Sequence, residues 1–189
     1  MTMEERKEFS RLKMHEMGRS DLSEYAQKEK WPFILVLDNI RSLLNVGSIF
    51  RTCDGFGANA LFLCGFTGTP PNREISKTAL GATESVQWSY FQNIENALDE
   101  LRKMGFKILA VEQTKNSTPL HKYQFQPDQK YAFIFGNEVD GVSDEALKLC
   151  DAVLEIPQFG TKHSLNVSVS AGIVSWALVQ CLLETKQSN

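Results

Sequence analysis

From Trp31 onward the chain alternates short apolar runs with stretches of helical spacing, and this alternation constrains its fold more than any other feature. The apolar runs are Phe33 to Leu37, Ala60 to Cys64, Lys107 to Val111, Tyr131 to Phe135 and Ala152 to Ile156, with a weaker run at Val86 to Phe91. They are too short for buried helices and lack polar alternation, so they read as strands covered on both faces. Between them, Asn45 to Phe56 places Val46, Ile49, Phe50 and Cys53 at helical spacing, and Ile75 to Leu80 is weakly helical. Ile94 to Met104 is amphipathic, Ser143 to Leu149 is short, and a long helix closes the chain. Glu112 to Lys130 is polar, holds Pro119 and Pro127, and reads as loop. Strands alternating with helices predict an α/β fold with a mostly parallel sheet flanked by helices on both faces.

Residues 1–30 differ from the rest. Glu4 to Met17 mixes charges with Phe9, Leu12 and Met14, and Gly18-Arg19-Ser20-Asp21 breaks it and caps a second short helix. Acidic and basic residues balance there, so a solvated helical extension packed on the 31–189 domain is expected, with an RNA-gripping arm as the alternative.

At 189 residues and 42% hydrophobic, the chain can bury one sizeable core. Its net charge of -3 and pI of about 5.7 confine any nucleic-acid contact to a local basic surface. Cys53, Cys64, Cys150 and Cys181 form no CxxC pair and sit among apolar residues, which predicts free thiols and no metal centre. The charged amino terminus lacks the apolar core of a signal peptide, and Val167 to Leu183 is interrupted by Ser168, Ser170, Ser175 and Gln180. A cytoplasmic protein outside the membrane is expected.

Two strands run into loops dense in Gly, Asn and Ser: Phe135-Gly136-Asn137-Glu138, and Ile156-Pro157-Gln158-Phe159-Gly160-Thr161-Lys162-His163-Ser164-Leu165-Asn166. In α/β proteins ligands bind at the carboxyl ends of strands, so the site is expected there. Gly55-Phe56-Gly57-Ala58-Asn59-Ala60 matches the glycine pattern of a dinucleotide fingerprint, but a helix precedes it and a strand follows, the reverse of what pyrophosphate binding needs. Gly55 and Gly57 read instead as a helix carboxyl cap. Upstream, a polar loop enters the helix bearing Asn45 and Arg51, roughly two turns apart. A guanidinium among Ile49 and Phe50 calls for an anion, either an internal carboxylate or a ligand.

Together the Asn45 to Arg51 block, the Phe135-Gly136-Asn137-Glu138 block with Gly141, and the Ile156-Pro157 to Ser168 block resemble the three signature motifs of the SpoU branch of the SPOUT RNA methyltransferases. The resemblance covers about Phe33 to Leu183, with Gln158 where members often carry Met, and only the short extension precedes it. It implies a carboxyl-terminal deep trefoil knot, S-adenosylmethionine as cofactor, a homodimer built partly on the last helix, and methylation of a ribose 2'-hydroxyl of tRNA, or rRNA. A catalytically silent RNA-binding assembly factor and a dinucleotide-dependent oxidoreductase are the alternatives. By resemblance, Arg51, Asn45, Glu138, Ser164 and Asn166 are the catalytic candidates. Arg51 is placed at the 2'-hydroxyl, with a bidentate grip on phosphate as its simpler role. Glu138 is the partner of Asn45 or Arg51 and the more conventional base, and His163 is a further candidate base. Gly136, Ile156, Gln158, Gly160 and Leu165 line the cofactor loops, with Gly136 allowing backbone to approach the ligand. Arg41, Arg51 and Lys162 are the RNA-binding candidates, and Arg73, Lys77 and Lys115 extend a basic patch.

Overall fold

The computed structural model describes residues 11–13, 16, 18, 21–161 and 164–187. The expected helix over Glu4 to Met17 lies largely outside them. Helix α1 (Leu22–Gln27) is capped by Asp21, whose carboxylate accepts from the Glu24 N–H at 2.8 Å. Seven strands follow: β1 (Trp31–Asp38), β2 (Ala58–Cys64), β3 (Trp88–Phe91), β4 (Phe106–Val111), β5 (Thr118–Pro119), β6 (Lys130–Phe135) and β7 (Ala152–Glu155). They form one sheet in the order β3-β2-β1-β6-β4-β7-β5, parallel at every pairing.

The connecting helices are α2 (Leu43–Phe56), α3 (Arg73–Ala79), α4 (Ala82–Ser85), α5 (Ile94–Lys103), α6 (Asp144–Leu149) and α7 (Val167–Gln187). Successive strand side chains point to opposite faces, so β1 feeds two cores. Phe33, Leu35 and Leu37 meet Val46, Ile49, Phe50 and Cys53 of α2 and Ala171, Val174 and Leu178 of α7. Ile34 and Val36 meet Ile94, Ala97, Leu98 and Leu101 of α5 and Ala146 of α6. Residues 33–37 are all 0% exposed, which is why β1 reads as an uninterrupted apolar run rather than an alternating one. Each such side chain contributes about 1.5–3 kcal/mol relative to an exposed one.

The structure revises several boundaries. The segment expected to be all loop supplies β5 and a 3-10 turn at Leu120–Lys122. β5 lies at the sheet edge, the place where Pro119 costs no ladder bond. Gly57 alone is the left-handed cap of α2, at φ 63°, while Gly55 lies inside the helix. Helix α7 runs 21 residues, and by length and composition Val167–Lys186 is long and apolar enough to cross a membrane. Its Ala171, Val174, Leu178 and Leu182 are instead buried in the core shared with α2.

The chain leaves β3 at one sheet edge and re-enters at β4 beyond β1, so the connections reverse direction beside β1. Parallel pairing brings Asp38, Val111, Phe135 and Glu155 to one rim of the sheet. A reversal of this kind opens a crevice outside the strand ends.

Candidate active site

A cavity of about 710 Å³ occupies that rim, within the range of cofactor pockets. Residues 111–114 after β4, residues 135–142 after β6, and Ile156, Gln158 and residues 164–167 after β7 form its walls. Of the expected cofactor residues, Gly136, Ile156, Gln158 and Leu165 line it. Gly160 does not: it is exposed, with nothing within 4 Å of where a Cβ would stand.

The loop after β6 is a tight return. Asn137, 8% exposed, exchanges backbone hydrogen bonds with Gly141 at 2.8 and 2.9 Å. Its side-chain oxygen accepts from the Val139 and Asp140 N–H groups at 2.8 and 3.1 Å, and its Nδ2 donates to the Asn39 carbonyl at 2.8 Å. Gly136 serves this return: a Cβ there would meet the Gly141 carbonyl carbon and the Val142 nitrogen at 2.1 Å. The glycine is therefore required by the loop's own backbone, in the cavity wall that it lines.

Two carboxylates that the sequence reading left aside pin the same loop. Glu112 Oε2 accepts from the Val142 N–H at 3.0 Å, and Asp38 Oδ2 from the Ser143 N–H at 2.9 Å. Their sequence signal is position: each is an acid at the carboxyl end of an apolar strand, where the crevice forms.

A continuous polar chain crosses beside the cavity. Glu138 Oε1 accepts from Asn45 Nδ2 at 2.9 Å and from the Ser42 N–H at 3.1 Å, while Oε2 accepts from the Arg41 N–H at 2.9 Å. Asn45 Oδ1 then accepts from Asn166 Nδ2 at 3.1 Å. Asn166 Oδ1 accepts from the Ser168 N–H at 2.9 Å and its hydroxyl at 2.6 Å, which fixes the start of α7. Burial disfavours the Glu138 carboxylate, but the bonds from Arg41, Asn45 and Ser42 outweigh it and hold its pKa below the ordinary value. The lowered pKa favours the ionised carboxylate, whose bonds tie Glu138 to Arg41, Ser42 and Asn45, the partnership with Asn45 being the one expected. Ser164 also lines the cavity.

Arg51 stands apart from this group. Asn45 and Arg51 are six residues apart in α2, which turns them about 120° from one another around the axis. Asn45 faces Glu138 and Asn166, whereas Arg51 is exposed and lines a separate concavity with Ser48, Thr52, Phe56, Lys77 and Leu80. It has no ion pair among the described residues, where Lys77–Glu74 is the one salt bridge. Arg41 is exposed on the loop that Glu138 holds. Lys162 and His163 lie outside the described residues. Cys53 and Cys64 are buried and burial pushes both thiols up, while Cys150 and Cys181 are half-buried. Among the described residues no cluster of His, Cys, Asp or Glu could hold a metal ion.

The cavity can take a flat ring against Leu147, Ile156 and Leu165 and a cationic group near Asp140 and Asp144. Comparison with known proteins gives these features a family. Residues 32–176 match the model of the SpoU rRNA Methylase family. A 23S rRNA (guanosine-2'-O-)-methyltransferase, RlmB, of Neisseria meningitidis serogroup B is 36% identical over 76% of this chain and 56% of its own. A tRNA (guanosine(18)-2'-O)-methyltransferase of Aquifex aeolicus is 30% identical over 81% of this chain and 71% of its own. An AdoMet-bound rRNA methyltransferase structure from Sinorhizobium meliloti superposes with a TM-score of 0.75 at 25% identity, over 82% of this chain and 58% of that one. The chain thus spans little more than half the length of two of these three relatives. The parallel sheet, the three converging loops and the family match agree, and the chain belongs to the SpoU rRNA methylase family.

Proposed function

We propose that the chain is an S-adenosylmethionine-dependent methyltransferase acting on a ribose 2'-hydroxyl of RNA. The observation that carries this reading is the hydrogen-bonded chain Glu138–Asn45–Asn166, which joins all three motif blocks beside one cofactor-sized cavity. Bound there, the sulfonium supplies an activated methyl group. The residues present suit it: Asp140 and Asp144 favour its cationic groups, and apolar Ile156 and Leu165 suit an adenine face. Ser164 and Asn166, in the cavity wall, are the groups offered to the ribose hydroxyl in this reading, and Glu138 holds Asn45, to which Asn166 is bonded. Alignment of donor and hydroxyl in such a pocket lowers the barrier by up to about 7–11 kcal/mol.

Residues 31–189 form the methyltransferase domain in this reading, and residues 1–30 an extension. Ile156, Gln158 and residues 164–167, between β7 and α7, line the same cavity as the loops after β4 and β6, and the proposed trefoil knot would lie there. A homodimer is supported by the outer face of α7, where Val169, Ile173 and Trp176 are 50%, 37% and 49% exposed, beside Leu44 at 46% and Leu80 at 67%. Arg51 borders Phe56 and Leu80 on that side, and the Phe56 and Trp176 rings are tilted together with centroids 6.1 Å apart. In this reading Arg51, which lies on the pairing side, serves the RNA phosphate at the cavity of the other copy. Transfer RNA is the proposed substrate and ribosomal RNA the alternative, in a cytoplasmic setting.

Incubating the protein with bulk tRNA, rRNA and methyl-labelled S-adenosylmethionine tests this directly. Label is expected at ribose 2'-oxygens. RNA binding without label transfer would instead favour the assembly-factor reading.

A further inference from the structure

A second concavity on the same rim, about 430 Å³ in volume, is left unused by the proposed reaction. It lies at the carboxyl ends of β2 and β3 and is bordered by Phe66, Trp88 and Tyr90. Phe66 is 61% exposed and Tyr90 48%, whereas Phe33, Phe62, Tyr131, Phe133 and Phe135 of the sheet are buried. We propose that this concavity binds an unpaired base of the substrate RNA, next to the nucleotide being methylated, by stacking it on Phe66 and Tyr90. The inference rests on the RNA methyltransferase reading.

Tyr90 and Trp88 are held by their own side chains, and the loop that carries Phe66 by its backbone. The Tyr90 hydroxyl donates to the Gly65 carbonyl at 2.9 Å, and Trp88 packs edge-on against buried Phe50 with ring centroids 6.5 Å apart. The Phe66 N–H donates to Asn39 Oδ1 at 3.2 Å. The Thr67 hydroxyl donates to the Leu37 carbonyl at 3.2 Å and accepts from the Ile40 N–H at 3.0 Å. Residues 65–67 are thus tied to the 39–42 loop, whose Arg41 and Ser42 N–H groups Glu138 holds. One hydrogen-bonded rim joins the aromatic concavity to the polar chain at the cavity. Two strand spacings separate β2 from β6, about 10 Å.

A nucleotide fits the chemistry better than an apolar protein segment. Arg41 lies on the loop between the two sites, and Arg73 follows the aromatic loop at the start of α3. Both are exposed and neither forms an ion pair among the described residues. Rings with cations on the flanking loops are the arrangement that grips bases and phosphates of a single strand.

The test compares a fluorescent single-stranded oligoadenylate with an RNA duplex of the same length, at fixed salt. Phe66→Ala and Tyr90→Leu are expected to weaken single-strand binding about 5- to 100-fold while leaving duplex binding unchanged. The affinity for S-adenosylmethionine and the salt slope stay as in the wild type, because stacking releases no counterions. Phe66→Trp restores binding. Wild-type affinity in both truncated variants, or full affinity in Phe66→Leu, overturns the stacking site, as does a change of oligomeric state in Phe66→Ala. Failure of the unaltered protein to bind S-adenosylmethionine or any RNA overturns the methyltransferase reading itself, which separates the two.

Discussion

Asn45 bridges Glu138 and Asn166, donating from Nδ2 to the first at 2.9 Å and accepting at Oδ1 from the second at 3.1 Å. One side chain therefore couples the helix after β1 to the loop after β6 and the start of α7, which lie 93 and 121 residues further along the chain. An amide is the group this position needs, since it must donate on one side and accept on the other. Asn45→Asp would set a carboxylate against Glu138, while Asn45→Ala would only free both neighbours. Turnover is expected to fall about 10²-fold in the alanine variant through misplacement of Asn166 and further in the aspartate variant. Single-turnover methyl transfer measures both, and equal activity of the two would exclude the bridge.

Glu138 makes stability depend on pH. Its folded pKa lies below the ordinary value of 4.5, so its stabilisation is fully present above that value and is lost as pH falls through the folded pKa. Glu138→Gln, which loses acceptor capacity towards Arg41, Ser42 and Asn45, is expected to lower the melting temperature at neutral pH. The difference from wild type should close as the pH is taken from about 5 to 3. Melting curves across that range decide it, and a gap that stays constant would mean that the carboxylate charge contributes nothing.

Much of the architecture was legible because apolar runs report burial directly: a strand such as β1, covered on both faces, has no polar residue between Phe33 and Leu37. The crevice was legible for a related reason, since Gly136 and Asn137 mark a tight return at a strand end. Strand order was not, because β6 inserts between β1 and β4, and β7 between β4 and β5, and no periodicity records that. The expected pairing of Glu138 with Asn45 is present, whereas the bond from Asn166 was not legible, because it spans 121 residues that no local pattern links. Spacing alone does not put Arg51 on the face of Asn45, because six residues turn it about 120° away around the helix axis.

Gly136→Ala tests the loop return. Its Cβ would stand 2.1 Å from backbone atoms of Gly141 and Val142, which cannot move aside as a flexible side chain can. Overpacking of this kind costs about 1–3 kcal/mol, and here the strain falls on the cavity wall. A lower melting temperature and weaker S-adenosylmethionine binding are expected together, by thermal denaturation and calorimetry. Gly160→Ala, with open space at the same atom, is expected to leave the melting temperature unchanged. Unimpaired binding by Gly136→Ala would show that the loop can widen.

Mixing two inactive variants tests where Arg51 works. Arg51→Ala and Asn166→Ala are each expected to abolish methyl transfer as homodimers, the first without loss of S-adenosylmethionine affinity. If Arg51 serves the cavity of the other copy, a mixed dimer keeps one cavity with its own Asn166 and the arginine of its companion. Random exchange makes half the dimers mixed, each with one working site, so activity should recover to about one quarter of the wild type. If Arg51 instead served the cavity of its own chain, both sites of every mixed dimer would carry one lesion and no activity would return. The recovered fraction, measured after co-refolding, therefore assigns the arginine to one copy or the other. Sedimentation of Trp176→Glu provides the complement: a charge on the outer face of α7 should yield monomers that lack turnover but still bind the cofactor, since Trp176 lies outside the cavity.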